Sequence, residues 1–328
     1  MKYLVTGATG LLGNNIVRLL AATGEMVRVL ARDESDPRAL ADLPVERASG
    51  DVRDAAAVTA ACKGVDVVIH SAGHVRIGWS QGEVQRQINV EGTRHVASAA
   101  RAAGARMVHV SSVDALGLGR RKQPGDEEKS FPGIVECPYV VTKREAERVV
   151  LEEVDRGLWA SIVNPGIFFG PWDWKPSSGK MMLAVARYML FAPTGAGSFC
   201  DVRDVAAGTI AAAARGKSGR RYVLGGHNLS YRQGCHEMAR VTSQRAPWIP
   251  MGPIFSAFAY PVLGVRSLLR RPEGEANAAM LAMSRQDHCF KSDRAQEELG
   301  YQIRPLRQTF EDTWQWFRDH GYAPNNGR

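Results

Sequence analysis

The chain has 328 residues, 45% hydrophobic and 23% charged, an ordinary globular composition that suits one large α/β domain or a major domain with a smaller appendage. It holds no low-complexity tract, no repeat at solenoid or propeller periods, and no run of the ~18 apolar residues that a membrane span needs. The formal charge of +8 comes from scattered bases, not one stripe, which speaks against nucleic acid and for a basic surface with arginines serving phosphorylated ligands.

Taken in order, residues 2–6 predict a buried parallel strand, because apolar residues run on without strict alternation. Gly7-Ala8-Thr9-Gly10-Leu11-Leu12-Gly13 follows, then a helical pattern through Leu20. A glycine as early as position 7 leaves no room for a signal-peptide core. Met26–Leu30 predicts a second strand, 45–48 a short third ending at Gly50-Asp51, Val65–His70 a fourth and Arg106–Val110 a fifth. Helical periodicity fills 54–62 and 83–103. A helix over 138–155 and a strand at Trp159–Asn164 complete the alternation, which predicts an α/β fold: a Rossmann-type, doubly wound parallel sheet. After Pro165 the pattern breaks into Pro- and Gly-punctuated chain, a helix at 202–214 and a strand at 221–224 that returns to the sheet. An amphipathic helix at Leu306–Arg318 packs Trp314 and Phe317 on the body. The expected division is a dinucleotide domain over 1–164, rejoined by 201–226. A small substrate portion is built from 165–200 and 227–305, and 306–328 forms a closing helix and tail.

The five cysteines (Cys62, Cys137, Cys200, Cys235, Cys289) are far apart and form no C-x-x-C pair. Neither a disulfide framework nor a zinc site is suggested, and a reducing, cytoplasmic setting fits best. No histidine pair has metal-ligand spacing, so no metal is expected.

Three glycines between a strand and a helix have separate tasks. Gly7 permits the sharp turn, Gly10 lets backbone approach a pyrophosphate, and Gly13 brings helix and sheet together. The helix N-terminus adds free N–H groups and a positive dipole. At the end of the second strand an NAD site places Asp or Glu for the ribose hydroxyls. Here Ala31 and then Arg32 stand there, so no carboxylate at 31 repels a 2′-phosphate and a guanidinium follows to pair with it. NADP(H) is therefore expected over NAD(H). Asp33 is the competing residue, which takes the ribose if the loop shifts.

Tyr139-Val140-Val141-Thr142-Lys143 sets Tyr and Lys four apart on one helical face. An ammonium there stabilises a phenolate and moves the phenol toward useful acid–base range. Ser112 ends the fifth strand, where open α/β sheets place ligand chemistry, and its hydroxyl can hold a substrate oxygen while Tyr139 exchanges the proton.

With these motifs the chain resembles the extended short-chain dehydrogenases/reductases of the NAD-dependent epimerase/dehydratase family. The markers are Thr6–Gly13, Gly50-Asp51-Val52, His70-Ser71-Ala72-Gly73, Asn89-Val90-Glu91-Gly92-Thr93, Ser111-Ser112, Tyr139…Lys143, Asn164-Pro165-Gly166 and Ser292-Asp293-Arg294-Ala295…Glu298-Leu299-Gly300-Tyr301. The resemblance implies that Thr9, Leu11 and Leu12 line the phosphate turn with the glycines. It further implies Asp51 and Val52 at the adenine, Ser71, Ala72, Gly73 and Asn89 along the cofactor, Lys143 on the nicotinamide ribose, and Pro165, Gly166 and Ile167 bordering the nicotinamide. A homodimer built from the 83–103 and 138–155 helices is common in the family.

Within it, sugar-nucleotide epimerases typically grip the substrate diphosphate with two arginines. This chain has Gly197-Ser198 at one of those places, and near the other only Arg285 as a partial substitute, Arg270-Arg271 lying too far upstream. It looks closer to the dihydroflavonol-reductase, 3β-hydroxysteroid-dehydrogenase and hopanoid-associated branch. The expected activity is hydride transfer between NADP(H) and a ketone or secondary alcohol of a small, lipophilic molecule. Two alternatives stay open: an NAD-retaining nucleotide-sugar epimerase or dehydratase, and a dinucleotide sensor without turnover. His74, Arg76 and Trp79, in a loop after the fourth strand, are candidate substrate contacts, with Asp114, Asn164 and Trp172, though a solvated loop or core packing are rival readings. The apolar, five-proline stretch 246–274 reads first as a lid over a lipophilic substrate, with a patch touching a membrane surface or a partner and ordinary packing as the rival readings.

Overall fold

The run Tyr3–Val5 is buried, as a strand covered by helices on both faces must be. The computed structural model describes residues 1–252, 255, 273–274 and 276–324. The chain opens with β1 (Lys2–Thr6), α1 (Leu11–Ala22), β2 (Met26–Ala31), β3 (Glu46–Ser49), α2 (Ala55–Cys62) and β4 (Val67–His70). It continues through α3 (Gly82–Arg86), α4 (Gly92–Ala102), β5 (Arg106–Val110), α5 (Pro138–Asp155) and β6 (Ala160–Pro165). Next come β7 (Ile167–Phe169), α6 (Gly179–Ala186), β8 (Phe191–Ala192), β9 (Ala196–Asp201), α7 (Val202–Arg215) and β10 (Arg221–Leu224). The last described elements are β11 (His227–Ser230), α8 (Tyr231–Thr242), β12 (Ile249–Pro250), α9 (Ala278–Met283), β13 (Asp287–His288), α10 (Asp293–Leu299) and α11 (Leu306–Asp319).

Seven strands form one parallel sheet in the order β10-β6-β5-β4-β1-β2-β3, the α/β Rossmann fold that the strand–helix alternation predicts. One face packs on α1 and α7 through Ile16, Val17, Val205 and Ala212. The other packs on α2, α4 and α5 through Val58, Val96, Ala100 and Val150. Chain direction along the sheet reverses between β1 and β4, and the crevice at the strand C-termini there is where such folds bind ligands.

The 83–103 helix is interrupted. Between α3 and α4 the backbone widens into a single π turn, Gln87–Glu91, a feature that recurs at functional sites. A second sheet, β11-β9-β13 with β7 on β9, escaped the sequence reading because β11 and β13 are short and polar, β7 has only three residues, and β9 carries Gly197 and Ser198 without apolar alternation. Helix α8 carried a usable signal that went unread: Ser230 and Gln233 form a reciprocal capping box. Trp314 and Phe317 of α11 pack on a third core of Phe169, Phe199, Met182 and Met238, as the amphipathic pattern predicts. Most of 246–274 lies outside the described residues, and with it the lid or membrane-patch reading. No helix among the described residues is long and apolar enough to cross a membrane.

Asp173 is buried, and burial pushes its carboxyl up to about 7, against the opposing bonds from the Ser177 and Gly179 backbone. The folded state therefore binds this proton more tightly than the unfolded chain. That contribution to stability is complete below the ordinary carboxylate range and is lost as pH rises through about 7. Asp173→Asn is expected to unfold at higher urea than the parent at pH 8, by about 1–3 kcal/mol, with the advantage clearly smaller at pH 5. An equal difference at both pH values would refute the assignment.

Candidate active site

The turn after β1 is closed so tightly that side chains have no room in it. Gly7 takes φ +72°, and a Cβ there would stand 2.6 Å from the Ala72 nitrogen. A Cβ on Gly13 would stand 2.2 Å from the Gly7 carbonyl oxygen. Gly10 is the N-cap of α1 with no side-chain cap bond, and the first turn carries no acidic residue. Leu11 and Leu12 are buried beneath it, while Thr9 is half-buried. The helix thus presents uncapped N–H groups across a cradle that only glycines leave open. These residues fit a dinucleotide pyrophosphate.

At the end of β2, Arg32 is half-exposed and lies 3.5 Å from Glu34 and 3.9 Å from Asp51. Asp33, the competitor for the ribose, accepts a 2.6 Å bond from Ser49. Asp51 accepts from Arg53 through both carboxylate oxygens at 2.9 Å, and that guanidinium holds its carboxyl below the usual range. Arg53 is thus a second guanidinium at this end of the crevice. The sequence reading missed it, although it directly follows the Asp51-Val52 marker. Val52 is buried against Gly92.

The ends of β4 and α3 bring the next group together. Ser71 N–H donates to the Thr6 carbonyl and Ala72 N–H to the Thr6 hydroxyl. A Cβ on Gly73 would sit 3.4 Å from Asn89 Oδ1 and 3.5 Å from Lys143 Nζ, so Gly73, Asn89 and Lys143 share one corner. Asn89, in the π turn, accepts from His74 N–H at 2.7 Å and donates to Thr142 at 3.1 Å.

Ser112 and Tyr139 meet at the end of β5. The Ser112 hydroxyl accepts the Asp114 N–H at 3.2 Å and acts on the Tyr139 phenol. Tyr139 is buried, packed with Cys137, Val140, Ile77 and Met283. Burial first, then the Asp114 carboxylate, push the phenol well up, and the Ser112 hydroxyl pulls it back. Lys143, expected as the charge that lowers the phenol, is turned instead to the Val110 carbonyl at 3.0 Å. Its own burial brings the ammonium down to about 8, opposed by Glu147.

Asn164, expected among the substrate contacts, is fully buried behind the site. Its amide donates to the Ser112 carbonyl at 2.9 Å and to Glu147 at 2.7 Å, and Glu147 pairs with Arg221 at 2.6 Å. The network braces the Ser112 backbone. Pro165 ends β6, Gly166 has its α-carbon against the Ser198 carbonyl, and Ile167 reaches Gly197. Trp172 lies in an aromatic cluster with Trp174, Trp316 and His320 under the Arg18 guanidinium. These contacts favour its packing reading. The 74–80 loop is tied to Glu273, which accepts from Trp79 and Ser80 N–H and whose carbonyl accepts from Arg76. His74 bonds Gln81, and Trp79 is 54% exposed. Within this loop it is Ile77 that packs with the Tyr139 cluster. Sequence reasoning missed His288, whose Nδ1 lies 2.8 Å from Asp114 Oδ1, and Tyr231, which packs against Phe199. They come from short polar strands and a helix start with no motif of their own.

The family model described as NAD dependent epimerase/dehydratase family matches residues 3–225. The chain is 36% identical to sterol demethylase protein B of Methylococcus capsulatus over 98% of this chain and 99% of that protein. It is 30% identical to the 4-hydroxy-2-methyl-3-oxo-4-farnesyl-3,4-dihydroquinoline-1-oxide ketoreductase of Stigmatella aurantiaca over 94% of each. A nucleoside-diphosphate-sugar epimerase from Pseudomonas aeruginosa superposes with a TM-score of 0.81 at 28% identity, covering 99% of both chains.

Proposed function

The chain belongs to the NAD dependent epimerase/dehydratase family, an oxidoreductase of the extended short-chain dehydrogenase/reductase type, and from that premise we propose that it is an NADP(H)-dependent reductase, interconverting a ketone and a secondary alcohol on a small lipophilic molecule. The observation that carries this reading is the buried Tyr139 phenol at the end of β5, acted on by the buried Ser112 hydroxyl, with Lys143 one helical turn beyond Tyr139. Relatives named for a sterol and for a farnesylated ketone support the lipophilic class.

When bound, the dinucleotide supplies the hydride donor or acceptor. The Gly7–Gly13 turn and the first N–H groups of α1 hold its pyrophosphate, Arg32 its 2′-phosphate, and Asp51 with Val52 its adenine. Ser71, Ala72, Gly73, Asn89 and Lys143 line its course, and Pro165, Gly166 and Ile167 border the nicotinamide. Ser112 donates to the substrate oxygen and orients it. Tyr139 delivers its proton to that oxygen as negative charge develops there. A phenol held above its ordinary range stays protonated at neutral pH, which suits the reducing direction.

Arg32 decides the cofactor. Replacing it with alanine is expected to weaken NADP⁺ binding about 10- to 100-fold, the worth of a charge-assisted bond to phosphate, and NAD⁺ binding less than about threefold by the same scale. Paired calorimetric titrations of parent and Arg32→Ala give the answer, and equal losses for both dinucleotides would remove the NADP(H) assignment. The nucleotide-sugar alternative predicts NAD carried through purification, which mass spectrometry of the native protein detects. Finding it would replace the reductase reading.

A further inference from the structure

Away from the dinucleotide crevice, four large apolar side chains stand outside the packed cores on one short ribbon. Helix α6 ends at Ala186, and Tyr188 turns the chain out of it at φ +66°, its N–H donating to the Val185 carbonyl at 3.1 Å. Glycine takes that left-handed conformation freely, whereas a tyrosine takes it only with strain. Met189 packs on the core of Phe169 and Phe310, but Tyr188 and Leu190 on either side of it are 61% and 52% exposed. Strand β8 then pairs with β12, which sets Ile249 opposite Phe191. The Trp248 N–H donates to the Leu190 carbonyl at 3.2 Å, so Trp248 stands beside Leu190. At 70% it is the most exposed large apolar side chain among the described residues. Phe191, at the edge of the group, is half-exposed and meets the Phe255 ring at 4.9 Å. Apolar residues exposed singly are ordinary, but a contiguous set marks a contact surface.

The charge around the ribbon says what covers it. Residues 174–200 and 238–252, which join where β8 meets β12 and α6 packs on α8, hold five lysines and arginines and no aspartate or glutamate. The sequence runs on without an acid to Pro272 and adds Arg266, Arg270 and Arg271. Arg187 and Arg245 flank the apolar group, are exposed, and have no ion-pair partner among the described residues. A second copy of this chain would bring the same guanidiniums face to face, which opposes self-association through the patch. An anionic bilayer answers both halves of it. Tryptophan and tyrosine favour the headgroup layer, leucine and phenylalanine gain by leaving water, and free guanidiniums pair with lipid phosphates. We infer that the β8–β12 ribbon is a docking surface for an anionic phospholipid bilayer, with Tyr188, Leu190, Phe191 and Trp248 entering the headgroup layer and Arg187 and Arg245 held over the phosphates. The contact is with one leaflet and spans nothing. Docking of this kind requires nothing of the reductase chemistry, though a lipophilic substrate dissolves in the same bilayer.

Co-sedimentation of the full chain with phospholipid vesicles tests this. Partition onto phosphatidylcholine vesicles that contain phosphatidylserine is expected to be at least about tenfold stronger than onto phosphatidylcholine alone, since each basic side chain near an anionic surface adds about fivefold. Salt at about 1 M should remove most of that difference by screening. Trp248→Ser combined with Leu190→Ser should lower partition onto both vesicles at least about tenfold, with the melting temperature unchanged because both side chains are exposed. Arg187→Gln combined with Arg245→Gln should lower only the phosphatidylserine-dependent part, by about tenfold or more, and decides the matter if the first pair of substitutions does not fold. No sedimentation with the phosphatidylserine vesicles, equal partition onto the two compositions, or parent-like partition of either double variant would overturn the docking surface. So would self-association of the lipid-free parent that Trp248→Ser abolishes in sedimentation equilibrium, which gives the patch to a second copy.

Discussion

Tyr139→Phe is expected to lower kcat/KM for ketone reduction by about 10³-fold, within the range that a positioned proton donor contributes, and to leave the dissociation constant for NADP⁺ within about twofold, since the glycine turn and Arg32 that are assigned to its phosphates are untouched. The loss should fall on kcat. The substitution removes one oxygen from a buried site and keeps the ring that packs against Val140, Ile77 and Met283, so the fold has no cause to change. The parent should also show a direction-dependent pH profile. Burial and Asp114 hold the phenol above its ordinary range, so it is protonated, and ready to donate, across neutral pH. Reduction should therefore be flat from pH 6 to 8, whereas alcohol oxidation, which needs the phenolate, should climb about tenfold per pH unit over the same interval. An oxidation rate already level at pH 7 would mean that the phenol is not the titrating group.

The parts of this site that were legible in the sequence are those whose chemistry is local. The Gly7–Gly13 spacing, the absence of an acid at 31 and the Tyr139…Lys143 interval each lie within one turn or one helix. Strand–helix periodicity then sets them at the C-terminal edge of one sheet. What went unread depends on contacts between distant segments. Asp114 meets His288 only because β13 pairs with β9, and β13 has two residues while β9, buried throughout, shows no alternation. The Lys143 ammonium was assigned to the phenol from spacing alone, but spacing on a helix says nothing of a carbonyl at the end of β5 that competes for it. Asn164, part of the Asn164-Pro165-Gly166 marker, is a candidate substrate contact in the sequence. Its neighbours Glu147 and Arg221, from α5 and β10, turn it into a brace.

That brace holds the Ser112 carbonyl, and the Asp114 N–H donates to its hydroxyl. The serine is thereby fixed at both ends before a ligand arrives, which is what orienting a substrate oxygen requires.

Gly13→Ala should abolish dinucleotide binding, to less than about one-hundredth of the parent affinity by the usual cost of displacing a phosphate cradle. The added methyl carbon would meet the Gly7 carbonyl oxygen at 2.2 Å and the Gly7 carbonyl carbon at 2.7 Å. Both are backbone atoms of a residue already confined to the left-handed region, so no side chain can swing aside and the turn itself must open. Opening it moves the first N–H groups of α1 away from the pyrophosphate and loosens α1 against β1, so a fall in melting temperature should accompany the loss. Gly24→Ala supplies the contrast. Its φ is +77°, yet a Cβ there meets nothing within 4 Å, so it costs only about 1 kcal/mol of backbone strain and leaves dinucleotide affinity intact. Should Gly13→Ala bind NADP⁺ as the parent does, the close approach of α1 to the turn would not be what forms the phosphate site, and the cofactor assignment built on that turn would fail with it.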